Sequence, residues 1–201
     1  MRLGAIILAA GQSSRFEDGH KLLTEFHCKP ILAHVLGLAR EYPLADCVVV
    51  TGARREGVEA LAAEAGMRIV HNPDFADGLS TSLKAGIASL PAEIDGAFIL
   101  LGDMPLIARE TLQALDRAAQ NAPEKAAFVP VFGAEWAHPV LLMRKVLPDL
   151  QHLSGDQGAR KLLQARKDVA LVPVEDPGSL ADIDTRADLA RAAGPNAASR
   201  T

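Results

Sequence analysis

The chain has 201 residues and a formal net charge of −4, with 49% hydrophobic but only 4% aromatic residues. This length fits one α/β domain with a substantial core. Nucleic-acid binders need aromatic stacking platforms for single strands or a basic face for duplexes, so the composition argues against a nucleic-acid partner. Any positive charge that matters for function must therefore be concentrated in a short segment of the chain.

Short apolar strands alternate with amphipathic helices along the chain. The predicted strands are residues 3–8, 46–51, 68–71, 96–101, 126–131 and 169–174, and the predicted helices are residues 30–41, 56–65, 81–90, 109–121, 158–165 and 186–193. Pro30 and Gly66 lie where helix starts and ends favour them. The alternation predicts an α/β fold with a mostly parallel central sheet covered on both faces. We expect a single domain over residues 1–193 and a disordered tail over residues 194–201.

The cysteines and the N-terminal region indicate the compartment. Cys28 and Cys47 are too few for a disulfide framework or a structural zinc cluster, and we expect them to be buried or functionally neutral rather than to act as free thiols. The first apolar run leads straight into a glycine loop, unlike a signal peptide. No apolar stretch has the length of a membrane span. We therefore expect a cytoplasmic protein with no membrane partner.

The segment after the first strand suits a phosphate group. After Leu8 it offers small residues and then hydroxyls and positive charge, in the order Ala9, Ala10, Gly11, Ser13, Ser14, Arg15 and Lys21. Small residues let the backbone approach a ligand, and the later donors suit an anion with several oxygens, most simply a nucleoside triphosphate. The segment lacks both the Walker GK[ST] and the dinucleotide GxGxxG patterns. The alternative is an ordinary strand-to-helix turn with solvated charges.

Small and polar residues also follow the next strands. Thr51 and Gly52 follow the second strand, residues 71–83 (HNPDFADGLSTSL) follow the third, and residues 102–105 (GDMP) follow the fourth. Ligands gather at the carboxyl ends of parallel strands. The convergence predicts a binding site along one edge of the sheet.

Asp103 directly follows a buried apolar strand, where it could hold magnesium. This ion is usually bound by one or two carboxylates plus substrate phosphates. Asp182 and Asp184 follow the last strand, and we expect one of them to cap the last helix and the other to reach the metal. The alternative for Asp103 is that it caps the helix that follows it.

Several further polar residues have two interpretations each. Ser80, Thr81 and Ser82 lie where a helix begins, so we expect Ser80 to cap it and the additional hydroxyls to contact a phosphate or polar ligand. His138 precedes a strand-like apolar run, and Asp156 precedes a short helix. On spacing alone, each of these two residues is more often structural than functional, and Asp156 could cap the helix that follows it.

In sequence order, these motifs resemble the molybdopterin nucleotidyltransferases, and within them the molybdenum cofactor cytidylyltransferase type. The matching motifs are LAAGxSxR followed by a lysine, NPxxxxGLSTSL, GDMP, HPV, GDQGAR and DIDT. The chain departs from the family pattern in three places. Phe16 and Glu17 replace the usual Met and Gly, Ala137 replaces a Gly before His-Pro, and one or two extra residues precede Lys21.

The resemblance implies a Rossmann-like three-layer sandwich that transfers CMP from CTP to the phosphate of molybdopterin and releases pyrophosphate. It implies that Arg15, Lys21 and Asp103 are catalytic and that Asp103 and Asp184 bind Mg²⁺. The nucleotide-binding residues it implies are Leu8, Ala9, Ala10, Gly11, Ser13, Ser14, Arg15, Lys21, Thr51, Gly52 and Ser80. The residues it implies for the pterin side are Ser80, Ser82, His138 and Asp156. A recipient molybdoenzyme is a further implied partner.

Two alternatives stay open at this point. The first is the same chemistry with GTP or another acceptor, and the second is a non-catalytic accessory protein that carries the cofactor. A carrier would not require Lys21 and Asp103 together. In the resembling family, members that use GTP tend to have LAGG in the first loop and members that use CTP tend to have LAAG, so Ala10 favours CTP.

Overall fold

The computed structural model of the protein describes residues 1–11, 16, 20–53, 55–156 and 158–194. The strands of this part of the chain are β1 (Leu3–Ala9), β2 (Glu25–Phe26), β3 (Lys29–Pro30), β4 (Asp46–Thr51), β5 (Arg68–His71), β6 (Gly96–Leu101), β7 (Ala127–Phe132), β8 (Glu135–Trp136), β9 (Val140–Met143) and β10 (Val169–Pro173). Its α-helices are α1 (Ile31–Glu41), α2 (Arg55–Glu64), α3 (Leu79–Ser89), α4 (Arg109–Asn121), α5 (Arg160–Gln164) and α6 (Arg186–Ala193).

Eight strands form the central sheet, in the order β10-β7-β9-β6-β1-β4-β5 with β8 paired to β7. β1 lies parallel to both β4 and β6, β4 lies parallel to β5, and β7 lies parallel to β10. β9 runs antiparallel to β6 and β7. The sheet is therefore mostly parallel, which confirms the predicted fold class. The short strands β2 and β3 pair separately as a hairpin.

The core lies on both faces of the sheet. Every residue of β1 is buried, and its side chains alternate between two hydrophobic clusters, so that Ile7 belongs to one and Ile6 to the other. Helices α1, α2 and α4 contribute to the first cluster and α3 to the second. A strand buried on both faces has a continuous apolar sequence, which explains the run that begins the chain.

The predicted elements match the structure to within two residues at each end. Two predicted helix caps are wrong, however. α6 is capped by Thr185, which forms a capping box with Asp188, so neither Asp182 nor Asp184 performs that role. α3 begins one residue before Ser80, which lies inside the helix. The alternative structural roles of two acids are also excluded, because Asp176 rather than Asp103 binds the first amides of α4, and α5 has no side-chain cap from Asp156.

The N-terminus of α4 shows why the capping residue could not be identified from the sequence. The Asp176 side chain accepts hydrogen bonds from the Ala108 amide at 2.9 Å and from the Thr111 hydroxyl at 2.6 Å. This cap comes from a residue far along the chain, so local spacing contains no sign of it. Of the tail predicted over residues 194–201, residues 195–201 lie outside the described residues. None of the described helices is both long and apolar enough to cross a membrane.

Candidate active site

Three charged side chains meet at the carboxyl edge of the sheet. The Lys21 ammonium lies 2.7 Å from Asp103 Oδ2 and 2.8 Å from Asp184 Oδ1. The side chain of Lys21 is 13% exposed, that of Asp103 is 23% exposed and that of Asp184 is 38% exposed. The sequence singled out all three residues, and the structure brings them into one cluster.

Backbone contacts between two loops hold the acids of this cluster together. The Ile183 amide donates a hydrogen bond of 3.0 Å to the carbonyl of Asp103, which ties the loop after β10 to the loop after β6. The same two loops touch at Gly178, where an added Cβ would lie 1.9 Å from the carbonyl oxygen of Leu106. Only glycine permits this approach, because any other side chain would overlap the neighbouring backbone. The loops therefore position Asp103 and Asp184 as a unit.

The cluster is electrostatically coupled. Burial alone would lower the pKa of the Lys21 ammonium, but the charges and hydrogen bonds of Asp103 and Asp184 raise it above its ordinary value. Burial and the negative charges of Asp184 and Asp103 raise the pKa of Asp182. An ammonium group between two carboxylates thus stays charged, and it offsets part of the repulsion between them.

Asp103 and Asp184 fit a divalent cation. Asp103 Oδ1 is buried and receives no hydrogen bond from any described residue. A buried carboxylate oxygen without a donor is suited to a cation, and carboxylate oxygens are the ligands that magnesium prefers. Within the described part of the chain, no group of three or more His, Cys, Asp or Glu side chains could hold a metal. Asp103 and Asp184 would hold the ion together with substrate phosphate oxygens.

A cleft of about 520 Å³ opens beside this cluster. The predicted site residues that line it are Leu8, Ala9, Ala10, Gly11, Lys21, Ser82, Asp103 and Asp156. Phe75, Ala76, Gly78 and Leu79 form another part of the wall. Gly11 is exposed, and a Cβ added to it would meet no described atom within 4 Å. The cleft thus offers a bare backbone edge on one side and the charged cluster on another.

Several predicted site residues do not line this cleft. Thr51 is fully buried and its hydroxyl donates to Glu59 at 2.9 Å. A Cβ added to Gly52 would lie 2.8 Å from the Cβ of Ala10, so Gly52 supports the first loop from behind. Ser80 is 1% exposed and does not line the cleft. Ser13, Ser14 and Arg15 lie outside the described residues.

The loop before α3 shows a residue that sequence reasoning missed. The Asn72 amide donates hydrogen bonds to the hydroxyls of Thr81 at 2.8 Å and Ser82 at 3.0 Å. These bonds join the hydroxyls of Thr81 and Ser82 in an internal network at the start of the helix, whereas the buried Ser80 hydroxyl has no hydrogen-bond partner among the described residues. The signal was present in the NP of the quoted NPxxxxGLSTSL motif, which places an amide side chain a few residues before the hydroxyls.

Asp156 reaches the cleft through a close backbone contact. A Cβ added to Gly78, whose φ is +107°, would lie 2.3 Å from the carbonyl carbon of Gly155. The Ser80 amide donates a hydrogen bond of 3.1 Å to the carbonyl of Gly155. The Gly155 turn is thereby held against the N-terminus of α3, which places Asp156 at the cleft wall.

His138 lies in a smaller apolar cavity of about 120 Å³, which shares Leu8, Leu79 and Leu101 with the cleft. Burial lowers the pKa of His138, against the opposing charge of Asp103. The same cavity contains Trp136 and Arg160, whose guanidinium lies 5.9 Å from the centre of the indole ring. The sequence analysis missed both, because they become neighbours only when β8 and α5 pack together.

A comparison with protein families decides the classification. The family model described as the MobA-like NTP transferase domain matches residues 5–170. The chain belongs to this family. As a MobA-like NTP transferase it is a member of the nucleotidyltransferases, which confirms the family that the motifs predicted.

Individual relatives agree with this membership. The chain is 29% identical to the molybdenum cofactor cytidylyltransferase of Escherichia coli, over 92% of this chain and 93% of that protein. It is 40% identical to the bifunctional protein GlmU of Rhizorhabdus wittichii, over 59% of this chain. The match covers only 27% of the GlmU protein, so the chain corresponds to one part of it.

Solved structures show the same fold. Rv0371c from Mycobacterium tuberculosis superposes with a TM-score of 0.84 and 27% identity, covering 96% of this chain and 98% of that one. A manganese complex of the same mycobacterial protein superposes with a TM-score of 0.80 and 26% identity, over the same shares of both chains. Together with the mostly parallel sheet, these matches confirm the Rossmann-like fold.

Proposed function

We propose that the protein transfers CMP from CTP to the phosphate of molybdopterin and releases pyrophosphate. The observation that carries this proposal is the Lys21 ammonium held between Asp103 and Asp184, beside a cleft that Lys21 and Asp103 line. Support for the substrates comes from the Escherichia coli cytidylyltransferase, which matches this chain over nearly its whole length. We further propose that the reaction occurs in the cytoplasm and that a molybdoenzyme receives the product.

The nucleotide side of the proposed reaction depends on charge. An oxygen of the acceptor phosphate attacks the α-phosphorus in line, and negative charge grows on the departing pyrophosphate. Lys21 reaches the β- and γ-phosphates and neutralises that charge, and Arg15 acts with it. The family resemblance implies that backbone amides from Gly11 to Ser14 would donate further hydrogen bonds to the phosphates. A phosphate nucleophile is already ionised, so no general base is needed.

The metal contributes to the same electrostatics. Mg²⁺ held by Asp103 and Asp184 would neutralise charge on the α-phosphate and on the incoming phosphate. The manganese complex of the mycobacterial relative supports a divalent cation in this fold. Asp103 contributes most directly, because its buried Oδ1 has no hydrogen-bond donor among the described residues.

The choice of base depends on the first loop. Ala10 is 6% exposed and its methyl group packs against Gly52. Ala10 therefore acts mainly by fixing how far the backbone of the first loop projects toward the base. A raised loop leaves less room for a two-ring purine than for a one-ring pyrimidine, which supports CTP over GTP. Thr51 and Gly52 act behind the loop rather than on the base.

The acceptor side is proposed along the part of the cleft wall that Ser82 and Asp156 form. His138 lies in the adjoining cavity. Ser80 supports this wall through its backbone contact with the Gly155 turn. These residues would orient molybdopterin so that its phosphate faces the α-phosphorus of CTP.

Pyrophosphate release with each of the four nucleoside triphosphates tests the proposal. Molybdopterin and Mg²⁺ are supplied in every reaction, and the product is identified by mass. We expect release with CTP that depends on molybdopterin and is lost in Asp103→Asn. Equal or better use of GTP would refute the cytidylyl assignment. Binding of molybdopterin with no turnover on any triphosphate would instead support an accessory carrier.

A further inference from the structure

The Lys21 ammonium lies where a metal cation is expected. It forms hydrogen bonds with one oxygen of Asp103 and one oxygen of Asp184, the two acids that we assign to magnesium. Its side chain is only 13% exposed, so the ion pairs are shielded from much of the solvent. A metal that binds both carboxylates has to compete with this internal cation.

The chain around Lys21 fixes the backbone but leaves the side chain free to turn. Leu22 is 4% exposed and belongs to the main hydrophobic cluster, and the Leu23 amide donates to the carbonyl of His20 at 2.9 Å. Lysine carries its charge on a flexible four-carbon stem with three rotatable donors. The ammonium can therefore leave the carboxylates for triphosphate oxygens without movement of the backbone.

We propose that Lys21 is an internal counter-ion that excludes a divalent cation from Asp103 and Asp184 until a triphosphate draws the ammonium away. The proposal rests on the metal and nucleotide sites of the proposed function, but not on the identity of the base or the acceptor. Metal and triphosphate then bind cooperatively. The triphosphate draws the Lys21 ammonium away from the carboxylates that bind the metal, and the metal displaces the ammonium that binds the triphosphate. By linkage, the triphosphate strengthens metal binding by the same factor by which the metal strengthens triphosphate binding.

This arrangement predicts that removal of Lys21 increases the affinity of the free protein for metal. If Lys21 were only a phosphate ligand, its removal would weaken triphosphate binding and leave the affinity of the free protein for metal almost unchanged. As a counter-ion, its removal takes away the ammonium that is hydrogen-bonded to both carboxylates, so a divalent ion no longer has to displace Lys21. Two partly buried ion pairs correspond to about a tenfold tighter Kd for the metal.

Direct titration of Mn²⁺ tests the proposal without any turnover. Free Mn²⁺ is followed by electron paramagnetic resonance in the wild-type protein, in Lys21→Gln and in Lys29→Gln. Lys29 is an exposed lysine of the β2–β3 hairpin, so its variant loses the same charge away from the cluster. The titration is repeated with Asp103→Asn in both the wild-type and the Lys21→Gln background, and with saturating tripolyphosphate. Circular dichroism confirms that each variant is folded.

We expect Lys21→Gln to bind Mn²⁺ about tenfold more tightly than the wild type without tripolyphosphate, and Lys29→Gln to match the wild type. Tripolyphosphate should strengthen Mn²⁺ binding in the wild type more than in Lys21→Gln. Equal Mn²⁺ affinity of the wild type and Lys21→Gln would overturn the proposal, while loss of binding in Asp103→Asn would still uphold the metal site of the proposed function. Binding that is insensitive to Asp103→Asn would overturn both.

Discussion

Replacing Gly11 by alanine should impair the use of CTP without lowering the stability of the folded protein. A Cβ at this position meets no described atom within 4 Å, and Gly11 does not have a left-handed φ. Alanine fits the folded state and reduces the freedom of the unfolded chain, so we expect the free energy of unfolding to be unchanged or to rise by about 0.4–1 kcal/mol. The methyl group would occupy the backbone edge that we propose lies against the triphosphate. Loss of one charge-assisted hydrogen bond, about 1.5–3 kcal/mol, lowers kcat/KM for CTP by roughly 10- to 100-fold.

The assay measures thermal unfolding and CTP kinetics on the same preparations. Gly37→Ala is the matched control, because Gly37 lies in α1 and its added Cβ also meets nothing within 4 Å. We expect this control to gain stability, as alanine favours a helix, and to keep wild-type kinetics. If Gly11→Ala retains wild-type kcat/KM for CTP, the bare backbone edge does not contact the nucleotide and the placement of the triphosphate is wrong.

Four further predictions follow from the site and the core. Asp103→Asn should retain the fold and lose about 100-fold or more in kcat, since it removes a charge from the metal site; near-normal turnover at saturating Mg²⁺ would contradict the assignment. Ala10→Gly should raise kcat/KM for GTP relative to CTP, measured with molybdopterin as acceptor, and an unchanged ratio would show that the loop does not select the base. Gly178→Ala should lower the free energy of unfolding by about 2–3 kcal/mol or more, because its Cβ would overlap a backbone carbonyl, and a melting curve like that of Gly37→Ala would refute this overlap. Iodoacetamide at pH 8 should modify the exposed Cys28 but not Cys47, whose pKa burial raises to about 12, and two adducts by mass spectrometry would show that Cys47 is accessible.

Much of the fold could be predicted because its signals are local. The strands at residues 46–51, 68–71 and 96–101 are bounded by polar or small residues, and the structure has them as predicted. The antiparallel course of β9 was missed, although the chain offers a clue. β9 begins at Val140, only a few residues after β7 ends at Phe132, and a parallel crossover needs about a dozen residues or more.

The charged cluster could be predicted only in part. Asp103 and Asp184 were identified as acids that follow strands; Asp103 lies directly beyond β6, whereas Asp184 lies in the longer loop between β10 and α6. Lys21 was predicted as a phosphate-binding residue or, in the alternative, as a solvated loop charge, and neither interpretation placed its side chain between two carboxylates, where it is mostly buried. Its partners lie 82 and 163 residues away in sequence, so no local pattern could indicate the pairing.

The ion pair between Lys21 and Asp184 also has a consequence for how the protein matures. A contact between residues that are far apart in the sequence requires closure of a long loop, which costs conformational entropy. Such contacts tend to form late in folding. A chain emerging during synthesis can fold β1 against β4 and β6 well before Asp184 exists, because all of these strands precede it. Such an intermediate holds Lys21 beside one carboxylate rather than two. The cluster of Lys21, Asp103 and Asp184 is thus complete only when the loop after β10 is made, so we expect a chain that ends before Asp184 to be inactive.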